Sequence, residues 1–498
     1  MIKNNNNKIF YIYLFILTLW CLPFLLYQDF YRDDYTRLVT GYAGWENAGR
    51  PLATLLYHFL SMDFGIIHNL YPLPLFLSVF ILAYTFHSLH KHIKKTYDIK
   101  DYILLPSILL IVCNPLYIQN LAYQYDILPM CIALSLSIFA FIKCNYKKAD
   151  FLWSVFLIFI ALNLYQPVIN VFITFCIINM CFPFIKSRIN KNIIYIQTLS
   201  SIFAVVLYYL LVFILSPIKP LRSAKISLNE ITEHFIHNIN NLSSIMNSFY
   251  LGTITLIIIS VLFYIFWVYY SWKNDNKILS FILPFVLFIF IWGPLLILKE
   301  EMTFPRTYLT IGILFGLLLL FLFISYAYKY LFTIAYVFLS FSYFILISFC
   351  YTQNQQFMFE KNLIGITLNK ISEQKELYST LMIFSYGGMP ESPNIKTLKS
   401  YLPYLNMIQK PSYRWEARFK MAILGYNYTN SMYTYTIADN SSEWDKICKD
   451  GLDDVFSLKI KTDYSDVFYD KNKKYTSIWF RNKNSSVCDN KPLNFDAE

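Results

Sequence analysis

Residues 9–51 read IFYIYLFILTLWCLPFLLYQDFYRDDYTRLVTGYAGWENAGRP. The first half, Ile9 to Tyr27, is apolar, and about 20 such residues in a helix cover the ~30 Å of a bilayer's hydrocarbon core. The second half, from Tyr31 to Pro51, gathers Arg32, Asp33, Asp34, Arg37, Glu46 and Arg50 into one short connection. A charged group at the bilayer centre costs roughly 2.5–3.5 kcal/mol, so the four between Arg32 and Arg37 would together cost on the order of 10–14 kcal/mol. The connection is therefore expected at the water–lipid boundary. A chain that starts in this way reads as a polytopic α-helical membrane protein.

Composition extends that reading outward. Of the 498 residues 56% are hydrophobic and 15% charged, against about 25% charged in soluble domains. The net charge of +11 would suit a nucleic-acid partner, but the basic residues fall mostly in short loops, where membrane topology accounts for them. No nucleic-acid partner is expected. A requirement of roughly 20 apolar residues per span gives about eleven spans, near 9–28, 66–88, 102–121, 126–143, 151–165, 167–185, 193–216, 248–270, 278–298, 307–325 and 331–350.

With the N-terminus in the cytoplasm, the inside loops hold Lys91, Lys94, Lys95 and Lys100, then Lys143, Lys147 and Lys148, then Lys186, Arg188 and Lys191, and later Lys273, Lys277 and Lys329. The outside loops collect Asp29, Asp33, Asp34, Glu46, Asp63, Asp126, Glu230, Glu233, Glu300 and Glu301. The reverse orientation would break the positive-inside rule throughout. Lys3 and Lys8 precede the first span with no small-residue cleavage site after it, the pattern of a retained signal anchor. An odd number of spans places the C-terminal tail outside.

Two domains are expected, a membrane domain over 1–350 with its outer loop at 28–65, and a polar C-terminal domain over 351–498. The latter reads as a small α/β domain: helix over Glu360 to Leu381, a strand from Leu381 to Tyr386, and strands at Ser457–Ile460 and Tyr475–Phe480 around the polar segment Lys461 to Lys474. Seven of the nine cysteines lie in or beside apolar spans as ordinary filler. Cys448 and Cys488 do not, and in an oxidising compartment they are expected to form a disulfide.

Chemistry is sought at the outer boundary. Carboxylates flanked by arginines there suit group transfer from a lipid phosphate. Adjacent Asp33 and Asp34 point in different directions on any regular backbone, so one faces a reacting centre as general base while the other orients it or pairs with Arg32 or Arg37. The alternative is a solvated turn that caps the next helix. Pro51 opens a helix with Leu52, Leu55, Leu56, Phe59 and Leu60 as its apolar stripe, expected to lie in the outer interface. Arg50 at its N-terminus forms a phosphate site or simply snorkels to head groups. Asp126 is either functional or a helix cap. Arg306, in KEEMTFPRTY with Glu300 and Glu301, is a phosphate ligand or an ordinary interfacial arginine. Gln166 of Tyr165-Gln166-Pro167 hydrogen-bonds a sugar or only completes a turn. The aromatics Tyr31, Tyr35, Tyr42, Trp45 and Tyr71 suit sugar stacking or a membrane aromatic belt. The histidines form no metal signature beyond a weak pattern at His234 and His237, and no phosphate-binding, dinucleotide or serine-nucleophile motif is present.

The strings YRDDYTRLVTGYAGWENAGRPL, LAYQYD, LNLYQP and FPRTYL together resemble the bacterial serotype-converting O-antigen glucosyltransferases of the GtrII-like group, polytopic enzymes of the GT-C class. The likeness covers about residues 9–350 and is strongest in the first loop. It implies a bacterial inner-membrane enzyme that moves glucose from undecaprenyl phosphate glucose to lipid-linked O-antigen on the periplasmic side, coupled in function to a donor-synthesising glucosyltransferase and a flippase. It implies a metal-independent inverting transferase with no cofactor, whose base is Asp33 or Asp34 and whose second outer carboxylate is Asp126. Its arginine expectations fall on Arg50 and Arg306. From the residues themselves, donor-phosphate contacts are also expected from Arg32 and Arg37, and sugar or acceptor contacts from Tyr125, Gln166, Glu300 and Glu301.

Two other classes compete. One is a different polyprenyl-phosphate-sugar transferase acting on lipid A, teichoic acid or protein, which would keep the loop carboxylate and change the acceptor. The other is a polysaccharide flippase or transporter, which should carry charged or broken-helix features at mid-membrane and an internal repeat; neither is seen in the sequence.

Overall fold

The computed structural model describes residues 2–27, 29–97, 99–144, 148–181, 191–215, 230–249, 282, 285–293, 296, 304–326, 331–374, 377, 381–386, 388–412, 414–424, 456–470 and 475–481. Among these the helices run α1 (Ile2–Leu26), α2 (Asp34–Thr40), α3 (Pro51–Ser61), α4 (Leu73–Tyr97), α5 (Asp101–Leu109), α6 (Ile118–Ala122), α7 (Ile127–Lys143) and α8 (Lys148–Leu164). They continue as α9 (Val168–Cys181), α10 (Lys191–Leu215), α11 (Ile231–Asn247), α12 (Leu309–Tyr326) and α13 (Leu331–Ser372). Strand β1 (Leu381–Tyr386) follows, then α14 (Pro393–Tyr401), α15 (Leu405–Ile408) and α16 (Arg414–Ile423). Strands β2 (Phe456–Lys461), β3 (Ser465–Asp470) and β4 (Tyr475–Phe480) close the described chain. Most of the expected span near 248–270 and about half of that near 278–298 lie outside the described residues.

The chain divides into two units. The first is Met1–Leu26 with Tyr42–Ser348; the second is Tyr27–Gly41 with Phe349–Glu498. The acidic half of the first loop thus groups with the C-terminal part of the sequence.

In the first unit α1, α4 and α10 are long and apolar enough to cross a membrane, as is α13, which runs on into the second unit; α7, α8 and α9 are shorter apolar helices. Helix α13 is continuous over 42 residues, about 63 Å or twice the hydrocarbon thickness, and turns polar after Cys350. Helix α7 packs against α4, α8 and α9 and is buried almost all round, which a helix without a polar face requires.

One expected span is not a continuous helix. Residues 102–121 break into α5, a turn, a short 3-10 helix at Pro115–Tyr117 and α6. Asn114 holds the break: its Oδ1 accepts from the N–H groups of Leu116 (3.0 Å) and Tyr117 (3.2 Å), and its Nδ2 donates to the carbonyl of Leu110 (2.9 Å). Pro115 supplies no N–H and disfavours helix in the residue before it, while the asparagine amide satisfies backbone groups that water does not reach. Helix α12 covers this break through a G-x-x-x-G pair. A Cβ on Gly312 would meet the Leu110 carbonyl oxygen at 2.5 Å, and one on Gly316 the Ser107 carbonyl oxygen at 2.2 Å. Only glycine allows that approach.

The second unit carries a four-stranded sheet in the order β1-β4-β3-β2, with β1 and β4 parallel and the other pairs antiparallel. Its core joins Ile364, Leu368 and Ile371 of α13 and Ala417 and Met421 of α16 with Val467 and Ile478 of the sheet. Strand β3 lies inside the segment 461–474 that the sequence presents as polar. Asp466 of β3 is neutralised by a two-pronged ion pair with Arg481 (2.9 and 3.0 Å), which explains how so polar a segment enters a sheet.

Candidate active site

Within the second unit the acidic loop is folded tightly. Asp34 opens α2 and is fully buried; its Oδ2 accepts from the Tyr31 N–H at 3.2 Å. Asp33, at the N-cap position, is exposed and makes no capping bond with its side chain. The two neighbours are thereby separated in role: Asp34 shapes the loop and Asp33 faces outward. Arg32 has φ +51° and pairs with Glu416 at 3.3 Å. Arg37 sits half-buried in the last turn of α2. Tyr31 donates its hydroxyl proton to the Ile408 carbonyl (2.5 Å), and Tyr35 donates to Asp29 (3.0 Å). Asp29 also accepts from the Phe30 N–H (2.8 Å) and from Gln353 (3.3 Å). Burial pushes its carboxyl up to about 7, against a smaller opposing pull from Lys420 and the Tyr35 hydroxyl.

The first unit holds a second constellation. Arg50 precedes α3, whose first residue is Pro51. Its Nε donates to Gln166 Oε1 at 2.9 Å, its Nη1 lies 3.6 Å from Asp126 Oδ1, and its guanidinium carbon stands 4.7 Å from the centre of the Tyr165 ring. Asp126 is buried and accepts from Trp45 Nε1 at 2.7 Å. Gln166 in turn donates to the carbonyls of Ala48 (2.7 Å) and Gly49 (3.1 Å), and Tyr208 donates to Gly49 at 2.9 Å. Gly49 has φ +72°, and a Cβ there would stand 2.7 Å from the Tyr208 hydroxyl. The turn before Arg50 therefore needs glycine. Tyr165 connects this group to Arg306, donating to its carbonyl at 3.2 Å, while the Arg306 guanidinium lies over the ring of Tyr123 (4.7 Å). A guanidinium held on three sides by an amide, a carboxylate and a ring is pre-organised for an anion.

The structure thus brings Arg50, Asp126, Gln166 and, through Tyr165, Arg306 into one cluster of the first unit. Arg32, Asp33, Asp34 and Arg37 belong to the second unit. Tyr125 is buried against Tyr57, with ring centres 5.7 Å apart. Glu300, Glu301, Cys448 and Cys488 lie outside the described residues. Tyr31, Tyr35 and Trp45 are all buried, which excludes both sugar stacking and an aromatic belt for them in this conformation; Tyr42 is exposed. Among the described residues no three His, Cys, Asp or Glu side chains come together as a metal site needs. Sequence reasoning missed Trp45 as the partner of Asp126, Tyr208 as the clamp on Gly49, and Glu360 with Lys420 behind Tyr35. Only the G-W and G-R-P strings carry any local signal for the first two.

Residues 22–317 match the family model described as "Glucosyl transferase GtrII". A protein of Salmonella phage P22, described as an uncharacterized 55.3 kDa protein in the gtrB 5' region, is 31% identical over 193 residues. That match covers 38% of this chain and 39% of the phage protein, so it spans about two fifths of either. No solved structure matches.

Proposed function

The chain belongs to the GtrII glucosyltransferase family, and from that premise we propose that it moves glucose from undecaprenyl phosphate glucose onto O-antigen repeat units at the periplasmic face of the bacterial inner membrane. In this reading the N-terminus is cytoplasmic, and both the acidic loop and the C-terminal α/β domain lie outside. Asp33 takes the proton of the acceptor hydroxyl as that oxygen attacks the anomeric carbon. The bond from this carbon to the donor's phosphate oxygen breaks, its electron pair leaves with the phosphate, and the configuration inverts. The products are the glucosylated acceptor and undecaprenyl phosphate. In the first unit Arg50, held by Gln166, Asp126 and Tyr165, is suited to hold a donor's phosphate, and Arg306 is linked to it through Tyr165. Guanidinium groups then serve where other transferases use a metal.

The observation that carries this reading is the exposed carboxylate of Asp33 in a loop whose neighbouring charges are already engaged, Arg32 with Glu416 and Asp34 with the Tyr31 N–H. A base must reach its substrate, and Asp33 is the member of the pair that solvent reaches. The test is structural analysis of O-antigen from cells with and without the protein. One added glucose per repeat is expected; identical O-antigen in both would overturn the proposal.

A further inference from the structure

Helix α16 presents Glu416 and Lys420 one turn apart, on one face. Glu416 takes Arg32, and the Lys420 ammonium stands 4.7 Å from the centre of the Tyr35 ring. Arg32 and Tyr35 bracket Asp33 and Asp34, so the acidic pair is gripped from both sides. The grip includes Arg32 in the left-handed region, where residues with a Cβ are uncommon and must be held by their surroundings.

Lys420 and its partner Glu360 on α13 are both buried. The Glu360 carboxylate is fully engaged: Oε2 accepts from Lys420 and from Ser412 Oγ (2.7 Å), and Oε1 accepts from the Ser412 N–H (2.8 Å) and Gln356 Nε2 (2.8 Å). A buried ion pair gives up in desolvation much of what its attraction returns, so stability alone is a weak account of it. What it does supply is a charge that cannot swing, because the carboxylate beneath is fixed by its other donors.

We propose that the Glu360–Lys420 pair is a positioning device for the transfer reaction: it seats Tyr35, and so fixes the start of α2 and the direction in which Asp33 meets the acceptor. The cation over the ring supplies the seat, and the Tyr35–Asp29 bond anchors its far end. This rests on Asp33 acting as the base.

The test uses the full-length protein in detergent with a nitroxide on Asp33→Cys, read against unsubstituted protein treated with the same label. Lys420→Met and Tyr35→Leu should each convert a restricted spectrum into a mobile one, and Lys420→Arg should restore restriction. With Asp33 intact, the same changes should lower kcat about 10- to 100-fold and leave KM for undecaprenyl phosphate glucose within about twofold, since mispositioning a base spares donor binding. If Lys420→Met does not fold, Tyr35→Leu, which keeps the ion pair, carries the test. A spectrum unchanged by Tyr35→Leu overturns the proposal whatever the activity does. A mobile spectrum with unchanged kcat leaves the grip standing and refutes Asp33 as the base.

Discussion

Replacing Asp126 by Asn separates a positioning carboxylate from a catalytic one. Asparagine has nearly the same shape, and its Oδ1 still accepts from Trp45 Nε1, now 2.7 Å away. What disappears is the negative charge 3.6 Å from Arg50 Nη1. Breaking a well-buried pair costs about 3–5 kcal/mol. Here the Arg50 side chain keeps 18% exposure, the Gln166 bond and the Tyr165 ring, so a loss of about 1–2 kcal/mol follows. Stability in detergent should fall by a few degrees, and KM for undecaprenyl phosphate glucose should rise by about tenfold, equivalent to 1.4 kcal/mol, with kcat changed less. Initial rates with a labelled donor, read beside a thermal melt, decide it. A drop in kcat of about a thousandfold at constant KM would make Asp126 a catalytic group, and no change in either would end its role in holding Arg50.

Other outcomes follow from the same geometry. Gly316→Ala sets a Cβ 2.2 Å from a backbone oxygen that no side-chain motion relieves; a loss of about 3 kcal/mol or more is expected, seen as a lower melting temperature and poor recovery in detergent. Asp29 carries a carboxyl raised from 3.8 to about 7 in the fold, so the folded state holds its proton where the unfolded chain has released it. Stability should therefore fall as pH rises from about 4 to about 7. Asp29→Asn should flatten that slope in melts across this range; a variant with the wild-type slope would contradict the assignment.

Much of the helical part was legible because hydropathy and periodicity act locally. The helix expected behind Pro51 is α3, and the apolar spans before residue 216 correspond to helices with one exception. That exception, 102–121, shows the limit: its apolar composition conceals the break that Asn114-Pro115 makes and that Gly312 and Gly316 accommodate from far along the chain. The continuity of α13 past Cys350 was hidden for the opposite reason, since hydropathy changes there while the backbone does not. Strand β3 was missed because Asp466 looks like loop until Arg481 is seen beside it. In the site, the sequence placed charge at a boundary and left Asp33 and Asp34 equivalent. Burial alone distinguishes them, and adjacency in sequence says nothing about which side chain turns inward. Glu360 and Lys420 were passed over because a lone charge in a polar segment reads as solvated; only their mutual burial reveals a partner.

If the exposed carboxylate of Asp33 drives glucose transfer, removing its charge must stop the reaction. Purified protein in liposomes, given labelled undecaprenyl phosphate glucose and lipid-linked O-antigen, tests it through initial rates of Asp33→Asn and Asp34→Asn. Loss of a base should cost about 100- to 10,000-fold for Asp33→Asn, while Asp34→Asn, which still accepts from the Tyr31 N–H, should lose far less. Full activity in Asp33→Asn would rule out Asp33 as the base.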